Sequence, residues 1–291
     1  MTGKIFVLGA TGKVGQPLLR ALAARDAAVT AFVRNPAKVE TLPGVTAVKG
    51  DVKDTAAFAA AVQGHERLFL LISDPADVTI EPALAAAAAA AGVKHIVKMS
   101  ALDASDNDEV GSIQYLHGVA EKAVMAAVPG VALTILRPGY FLQNLFSRAS
   151  EIKFSGSLAT CMGGAQMAHI DAADIAEVAA VILTSPADEY SGMSLTLTGP
   201  QARSWDDVAA AMAKEFGRPM RINHLDPAAY IRFLTGVGMP RKMAWMLAQV
   251  ETLSRRNYTG NSFATGNVEF VTGRKPRTVE QFLAEHHDAF V

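Results

Sequence analysis

The sequence has 291 residues, of which 50% are hydrophobic and 19% charged, so a sizeable core is expected and a disordered chain is excluded. Its 27 Lys and Arg residues balance 28 Asp and Glu residues, which excludes the basic surface of a general nucleic-acid-binding protein. The single cysteine, Cys161, excludes an intrachain disulfide framework and a cysteine-rich metal site. The first residues lack a signal-peptide pattern and the apolar runs are too short to span a bilayer, so we expect a cytoplasmic protein without membrane contact.

In the first half of the chain, short apolar runs alternate with stretches of helical periodicity. Continuous apolar runs are typical of strands buried on both faces. The predicted strands are residues 5–8, 27–33, 45–48, 67–72, 95–99 and 131–136. The predicted helices are residues 17–24, 36–42, 56–62, 82–91 and 113–128, with Asp54 or Thr55 as the cap of the third. This alternation predicts an α/β fold with a doubly wound parallel sheet.

After Pro138 the pattern changes to mostly helical. The predicted helices are residues 171–183, 205–216, 227–234, 241–254 and 278–290, with a strand at 195–197. Capping boxes are expected where Ser204 precedes Asp207 and Thr278 precedes Gln281. Residues 255–275 are polar and contain glycine, which predicts a loop with one short strand.

A glycine-rich turn follows the first predicted strand. Gly9, Gly12 and Gly15 fit the spacing GxxGxxG and open a helix. Glycines in this context allow a tight turn and a close approach of the backbone to a pyrophosphate, which the helix N-terminus attracts. We therefore predict a nucleotide site that includes Thr11, Lys13 and Val14 of the same turn, the alternative being a tight turn alone.

The end of the second strand indicates which dinucleotide would bind. An NAD-binding site usually has a carboxylate there for the ribose hydroxyls, whereas this chain has Arg34. A guanidinium is suited to a 2′-phosphate, so NADPH or NADP⁺ is favoured over NADH, unless Arg34 is merely a surface residue. After the third strand, Asp51 could accept a hydrogen bond from adenine beside Val52, or it could cap the following helix.

Several segments together resemble the NmrA-like branch of the atypical short-chain dehydrogenases/reductases, and are similar in particular to its quinone oxidoreductases and triphenylmethane reductases. The segments are GATGKVG at 9–15, VRNPAK at 33–38, GDV at 50–52, AGVKHI at 91–96, HGVAE at 117–121, TILRPGYFLQN at 134–144 and DAADIA at 171–176. The resemblance implies a Rossmann domain at residues 1–150 and a smaller, mainly helical substrate domain at 151–291, some segments of which pack back on the first. It also implies an active-site cleft between the two domains.

The catalytic Tyr-x-x-x-Lys pair of typical short-chain dehydrogenases is missing. Four positions after Tyr115 and Tyr140, where the lysine would stand, the chain has Val119 and Asn144. Related isoflavone-reductase-like enzymes place a lysine where this chain has His117. We therefore predict that His117 either donates a proton or contacts the nicotinamide or substrate, with Glu121 one helical turn away to orient it. The alternative is a half-buried helix residue bonded to the backbone.

Other candidate residues follow the strands, where ligands bind in this architecture. Ser73, Ser100 and Ala101 are predicted to line the cofactor pocket, and Tyr140 and Asn144 the substrate site, although packing is an equal alternative for Asn144. The histidines show no metal-ligand spacing, so no metal is expected.

The leading hypothesis is an NADPH-dependent oxidoreductase that transfers hydride to a quinone or a similar flat, hydrophobic acceptor. A redox sensor that binds NADP(H) without turnover is one alternative, and an NADPH-dependent reductase of C=C or imine bonds is another. Neither a nucleic-acid partner nor a membrane is expected, and a homodimer is possible.

Overall fold

A computed structural model describes residues 3–72, 75–107, 110–255 and 263–291. Two compact units make up the chain. Unit 1 comprises Met1–Pro138, Ala172–Leu197 and Asn267–Arg274, and unit 2 comprises Gly139–Asp171, Thr198–Gly266 and Lys275–Val291. The expectation that residues 1–150 form the cofactor-binding domain and residues 151–291 the substrate-binding domain stays a prediction, because it depends on where ligands bind.

Unit 1 is built on a parallel sheet. Its seven strands in the described ranges are β1 (Ile5–Val7), β2 (Val29–Val33), β3 (Val45–Lys49), β4 (Arg67–Leu70), β5 (His95–Met99), β6 (Ala132–Pro138) and β8 (Ser194–Leu197). They are ordered β3-β2-β1-β4-β5-β6-β8, and every neighbouring pair is parallel. The chain adds strands to one side of β1 and then returns to the other side with β4. This order is that of the doubly wound dinucleotide-binding fold, extended by β8.

Helices cover both faces of this sheet. The helices of unit 1 are α1 (Gly15–Ala23), α2 (Thr55–Ala61), α3 (Glu81–Ala90), α4 (Ile113–Ala127), α6 (Ala172–Thr184) and α10 (Asn267–Thr272), with 3₁₀ turns at Pro36–Lys38 and Pro75–Ile80. Helix α6 packs against α1 and α10 in one layer, and α3 packs against α2 and α4 in another. Phe6, Phe32 and Phe58 form edge and tilted ring contacts within the core on the α2–α4 side. The predicted doubly wound α/β fold is therefore confirmed.

Unit 2 is mostly helical around its own apolar core. Its helices are α5 (Ala149–Ser155), α7 (Trp205–Phe216), α8 (Pro227–Gly236), α9 (Arg241–Arg255), α11 (Val279–Glu285) and α12 (His287–Phe290), with a 3₁₀ segment at Leu142–Arg148. Two short strands, β7 (Ser157–Thr160) and β9 (Arg221–His224), pair in parallel. Both predicted capping boxes are present, at Ser204 with Asp207 and at Thr278 with Gln281.

Some predicted elements differ from the structure. The helix expected at 36–42 is only the 3₁₀ turn Pro36–Lys38, and the helix expected at 278–290 is interrupted at His286. The short strand expected within 255–275 is wrong for the described part of that range, which contains helix α10; residues 256–262 lie outside the described residues. Strands β7 and β9 were not predicted, and the strand at 195–197 joins the main sheet.

No helix in the part of the chain that the structure describes combines the length and apolarity needed to cross a bilayer.

Candidate functional site

A cleft of about 630 Å³ lies at the carboxyl ends of β1, β2, β3 and β4 in unit 1. This volume is typical of small-molecule sites, and the position is the topological switch point at which doubly wound sheets bind ligands. Its walls are formed by residues 9–11, 32–35, 38, 50–53, 71–72 and 77.

The glycine turn forms one wall, and its glycines have different roles. Gly9 has a φ of +69°, in the left-handed region, and a Cβ on it would lie only 2.8 Å from the side chain of Leu71. A Cβ on Gly15 would overlap the carbonyl oxygen of Gly9, so Gly15 allows the start of α1 to pack against the turn. A Cβ on Gly12 would lie 3.2 Å from the same oxygen and meet no other group within 4 Å. Of the three glycines, Gly12 is therefore the one with the least crowded Cβ position, and its contact with a ligand stays a prediction.

The start of α1 is suited to an anion. Val14 is the N-terminal cap, it is buried, and no side chain caps the helix. The first turn contains no acidic residue, so nothing there opposes the positive end of the helix dipole. Thr11 lies in the wall of the cleft, and Lys13 is exposed on the same turn.

Two basic side chains lie in the cleft wall after β2. Arg34 and Lys38 are exposed, and within the described ranges neither has a hydrogen-bond or ion-pair partner. Asn35 orients this turn, because its Oδ1 accepts a hydrogen bond from the backbone N–H of Ala37 (3.1 Å). Glu40 is engaged by Arg20, whose Nε donates to its carboxylate at 2.7 Å. The strand end thus presents two cations without a neutralising carboxylate.

Sequence reasoning singled out Arg34 but missed Lys38 as a site residue. The signal was available, since Pro36 makes a 3₁₀ turn and brings position 38 back beside the strand end.

The structure excludes one of the two interpretations of Asp51, namely that it caps the helix that follows. Asp54 caps α2 by accepting a hydrogen bond from Ala57 N at 2.9 Å, so the interpretation of Asp51 as the helix cap is wrong. Asp51 instead accepts from the backbone N–H of Lys53 (3.0 Å) and lies with Val52 in the cleft wall. Contact of Asp51 and Val52 with adenine stays a prediction.

His117 lies on α4 with only 8% of its surface exposed, and its Nδ1 has no hydrogen-bond partner among the described residues. Burial, together with the nearby positive charge of Lys98, lowers the pKa of His117 to about 3. The imidazole is therefore neutral at physiological pH. A neutral ring can offer an N–H to a ligand but holds no excess proton to release.

Glu121 does not orient His117 as expected. Its carboxylate accepts hydrogen bonds from Arg137, whose Nε lies 2.9 Å away, and from the hydroxyl of Ser100. A bidentate guanidinium is a stronger partner than an imidazole that burial keeps neutral. Glu121 therefore fixes the end of β5 to β6.

The predicted residues after β4 and β5 are placed as follows. Ser100 is buried, its N–H donates to Leu136 O at 2.8 Å, and its hydroxyl is used by Glu121. Neither Ser100 nor the half-buried Ala101 forms part of the cleft wall described above. Ser73 lies outside the described residues. The role of these three residues in cofactor binding stays a prediction.

The two predicted substrate residues come together in unit 2. The hydroxyl of Tyr140 is hydrogen-bonded to the side chain of Asn144, and burial raises the pKa of this hydroxyl. The Tyr140 ring makes edge contacts with Trp205 at 5.7 Å and His169 at 5.8 Å. The contact of Tyr140 and Asn144 with a substrate stays a prediction.

A buried polar cluster in unit 2 was not predicted. Glu251 on α9 accepts hydrogen bonds from Tyr230 (2.7 Å), Thr160 (2.8 Å) and Cys161 N (2.8 Å), and burial raises its pKa. Because these partners lie on α8 and around β7, the cluster fixes α9 to its neighbours. No group of three His, Cys, Asp or Glu side chains that could hold a metal occurs among the described residues.

Comparisons with known proteins agree with this geometry. The NmrA-like family profile matches residues 1–283. The chain is 34% identical over 289 residues to an NAD(P)H azoreductase of Xenophilus azovorans, covering 98% of this chain and 99% of the relative. It is 32% identical over 250 residues to quinone oxidoreductase 2 of Escherichia coli, covering 84% and 85% of the two chains.

Among solved structures, the chain resembles an NADPH-dependent quinone oxidoreductase from Escherichia coli in complex with NADPH. The TM-score is 0.84, the sequence identity is 27%, and the similarity covers 97% of this chain and 99% of the other. The match over residues 1–283, together with these two full-length or nearly full-length relatives, shows that the chain belongs to the NmrA-like family.

Proposed function

We propose that this protein is an NADPH-dependent oxidoreductase that reduces a quinone or another flat, conjugated acceptor such as an azo compound. The observation that carries the proposal is the cleft beside the glycine turn, with two wall cations, Arg34 and Lys38, that have no ion-pair partner among the described residues. The named activities of the azoreductase and quinone oxidoreductase relatives support the same chemistry.

The residues present fit NADPH at this site. The turn from Gly9 to Gly15 and the uncapped start of α1 would hold the pyrophosphate. Arg34 and Lys38 would hold the 2′-phosphate, because each can donate charged hydrogen bonds and neither is neutralised. Asp51 and Val52 would border the adenine. When bound, the nicotinamide would supply a hydride to the acceptor.

The protein's own residues would then contribute mainly by positioning. The chain lacks the Tyr-x-x-x-Lys pair, and burial keeps His117 neutral, so neither provides a ready proton. We infer that the reduced acceptor takes its proton from solvent, and that alignment of the two flat partners supplies most of the rate. Tyr140 and Asn144 are the proposed acceptor contacts on unit 2.

The test is anaerobic oxidation of NADPH and of NADH, followed by absorbance, with a panel of benzoquinones, naphthoquinones and azo dyes. We expect turnover with at least one acceptor class and a clear preference for NADPH over NADH. Arg20→Ala is the control matched to replacement of the cleft residue Arg34, because Arg20 is also an exposed arginine but pairs with Glu40 and is not part of the cleft wall. Tight NADPH binding without turnover of any acceptor, α,β-unsaturated carbonyls and imines included, would instead favour a redox sensor.

A further inference from the structure

One ion pair joins opposite sides of the cleft. Nζ of Lys53 lies 2.9 Å from Oδ2 of Asp77, and both residues line the cleft. Lys53 follows β3, whereas Asp77 lies in the 3₁₀ turn Pro75–Ile80 after β4. Strands β2 and β1 lie between β3 and β4 in the sheet. With neighbouring strands ~4.8 Å apart, the two residues belong to strands roughly 14 Å apart, so the pair reaches across the ends of β2 and β1.

The backbone on each side of this pair is held in place. On one side, Asp51 accepts a hydrogen bond from Lys53 N at 3.0 Å, and Asp54 caps the helix that follows. On the other side, Val78, next to Asp77, is fully buried in the core. The side chains themselves are more exposed, at 63% for Lys53 and 29% for Asp77. A change of side-chain rotamers can therefore separate Nζ of Lys53 from the carboxylate of Asp77.

We propose that Lys53 and Asp77 form a latch over the adenosine end of the cleft and set the rate at which NADP(H) is released. Lys53 directly follows Asp51 and Val52 in the cleft wall, and these two residues are proposed to border adenine. A ligand whose adenosine lies under the pair leaves only when the pair opens. This inference rests on the proposed function, because it requires that the cleft binds NADP(H).

The test measures dissociation of NADPH by stopped-flow fluorescence, with an excess of NADP⁺ as the displacing ligand. The proteins are the wild type, Lys53→Gln, Asp77→Asn, the double variant, and the charge exchange Lys53→Asp with Asp77→Lys. A pair this exposed is expected to change the release rate about two- to fivefold. Each single variant should release NADPH faster by that factor, and the double variant no faster than either single variant. The charge exchange should return the rate toward the wild-type value.

Two further measurements separate a latch from direct ligand contacts. Added NaCl should accelerate release more strongly from the wild type than from the double variant, because salt screens the pair in addition to the phosphate contacts that both proteins keep. 2′-Phospho-ADP-ribose, which has the adenosine end but no nicotinamide, should show the same pattern when displaced. Lys94→Gln is the matched control, since Lys94 forms an exposed pair with Glu66 (3.1 Å) outside the cleft wall.

Unchanged release rates in both single variants, with thermal unfolding showing them folded, would overturn the latch. Additive effects in the double variant without rescue by the charge exchange would also overturn it, and would assign the two residues separate contacts with the ligand. Failure of the wild type to bind NADPH at all would overturn the proposed function as well, so the two failures are distinguishable.

Discussion

The proposed role of Arg34 and Lys38 in cofactor choice leads to a specific expectation for single residues. We expect Arg34→Ala to weaken NADPH binding by about 1.5–3 kcal/mol, which is the range for a hydrogen bond to a charged group. This corresponds to roughly a 10- to 150-fold rise in Kd. NADH binding should change little, since NADH has no 2′-phosphate. Isothermal titration with both cofactors measures the difference, and an equal loss for the two would mean that Arg34 is structural.

His117 leads to an equally specific expectation. Its pKa of about 3 keeps the ring neutral across the range in which enzymes are usually assayed. We therefore expect His117→Gln to lower kcat less than about tenfold, below the 10²–10⁴ contribution typical of general acid catalysis. The pH–rate profile between pH 5.5 and 8 should have the same shape in the variant and the wild type. A loss of 10²-fold or more, with a pH dependence that disappears in the variant, would restore the general-acid role.

At the residue scale, motif types were easier to predict than side-chain partners. The glycines and Arg34 follow from their order along the chain, because a strand–turn–helix unit places them at one sheet edge. The partner of Glu121 did not follow, because Glu121 lies on α4 and Arg137 on β6, and only the folded structure brings the two within 2.9 Å. The lowered pKa of His117 likewise depends on burial near Lys98, which spacing along a helix does not reveal.

At the level of elements, the turn between β1 and α1 depends on two glycines in different ways. Gly15→Ala would push a methyl group into the Gly9 carbonyl, so we expect a loss of about 1–3 kcal/mol in the free energy of unfolding. Gly12→Ala meets only one atom, at 3.2 Å, so the fold should be nearly unaffected. NADPH affinity should nevertheless fall, because the methyl group occupies the open surface of the turn.

Thermal unfolding and NADPH titration of the two variants separate these roles. Gly164→Ala is a control for the intrinsic cost of replacing a glycine, since Gly164 has no neighbour within 4 Å and, like Gly12 and Gly15, has no positive φ. Undiminished NADPH affinity in Gly12→Ala and in the bulkier Gly12→Val would remove Gly12 from the binding site.

The elements that were missed or misassigned are short ones in or near unit 2 and at Pro36–Lys38, although other short strands such as β1 and β8 were predicted. Helix α10 contains Val268, Phe270, Val271 and Thr272, a β-branched and aromatic composition that favours a strand. Tertiary contacts override this preference, because Val268 and Val271 are buried at helical spacing and Asn267 Nδ2 donates to Thr196 O at 2.9 Å. The strands β7 and β9 have four residues each and, in the described parts of the chain, pair with one another alone, so neither carries an alternating pattern long enough to detect.

For the molecule as a whole, both units bury histidines that resist protonation. Burial is the main cause in each case, and the pKa is lowered to about 4 for His95, about 3 for His117 and about 4 for His169. Nearby positive charges, from Arg67 beside His95 and Lys98 beside His117, act in the same direction. In the unfolded chain the same groups titrate near pH 6.5.

The sign of the effect follows from proton binding. Well above pH 6.5 the rings are neutral in both states, so they add no pH dependence there. As the pH falls from about 6.5 toward 4, the unfolded chain binds protons that the folded chain does not, and each ring destabilises the fold by up to about 1.4 kcal/mol per pH unit. Glu81 and Glu251, whose pKa values burial raises, act in the opposite direction in this range. The pH dependence of the free energy of unfolding is therefore a sum of contributions of opposite sign from these histidines and glutamates.

Replacement of one imidazole isolates its share of that sum, because the carboxylates are common to the wild type and the variant. We expect His95→Gln, His117→Gln and His169→Gln each to reduce the loss of unfolding free energy between pH 6.5 and 4.5 by about 1–2 kcal/mol, somewhat below the limiting slope. Between pH 7 and 8 the variants should differ from the wild type by a constant offset, because all the rings are neutral there. Urea unfolding at a series of pH values measures both ranges. Parallel stability curves below pH 6.5 would mean that the replaced histidine becomes protonated in the folded protein as readily as in the unfolded chain.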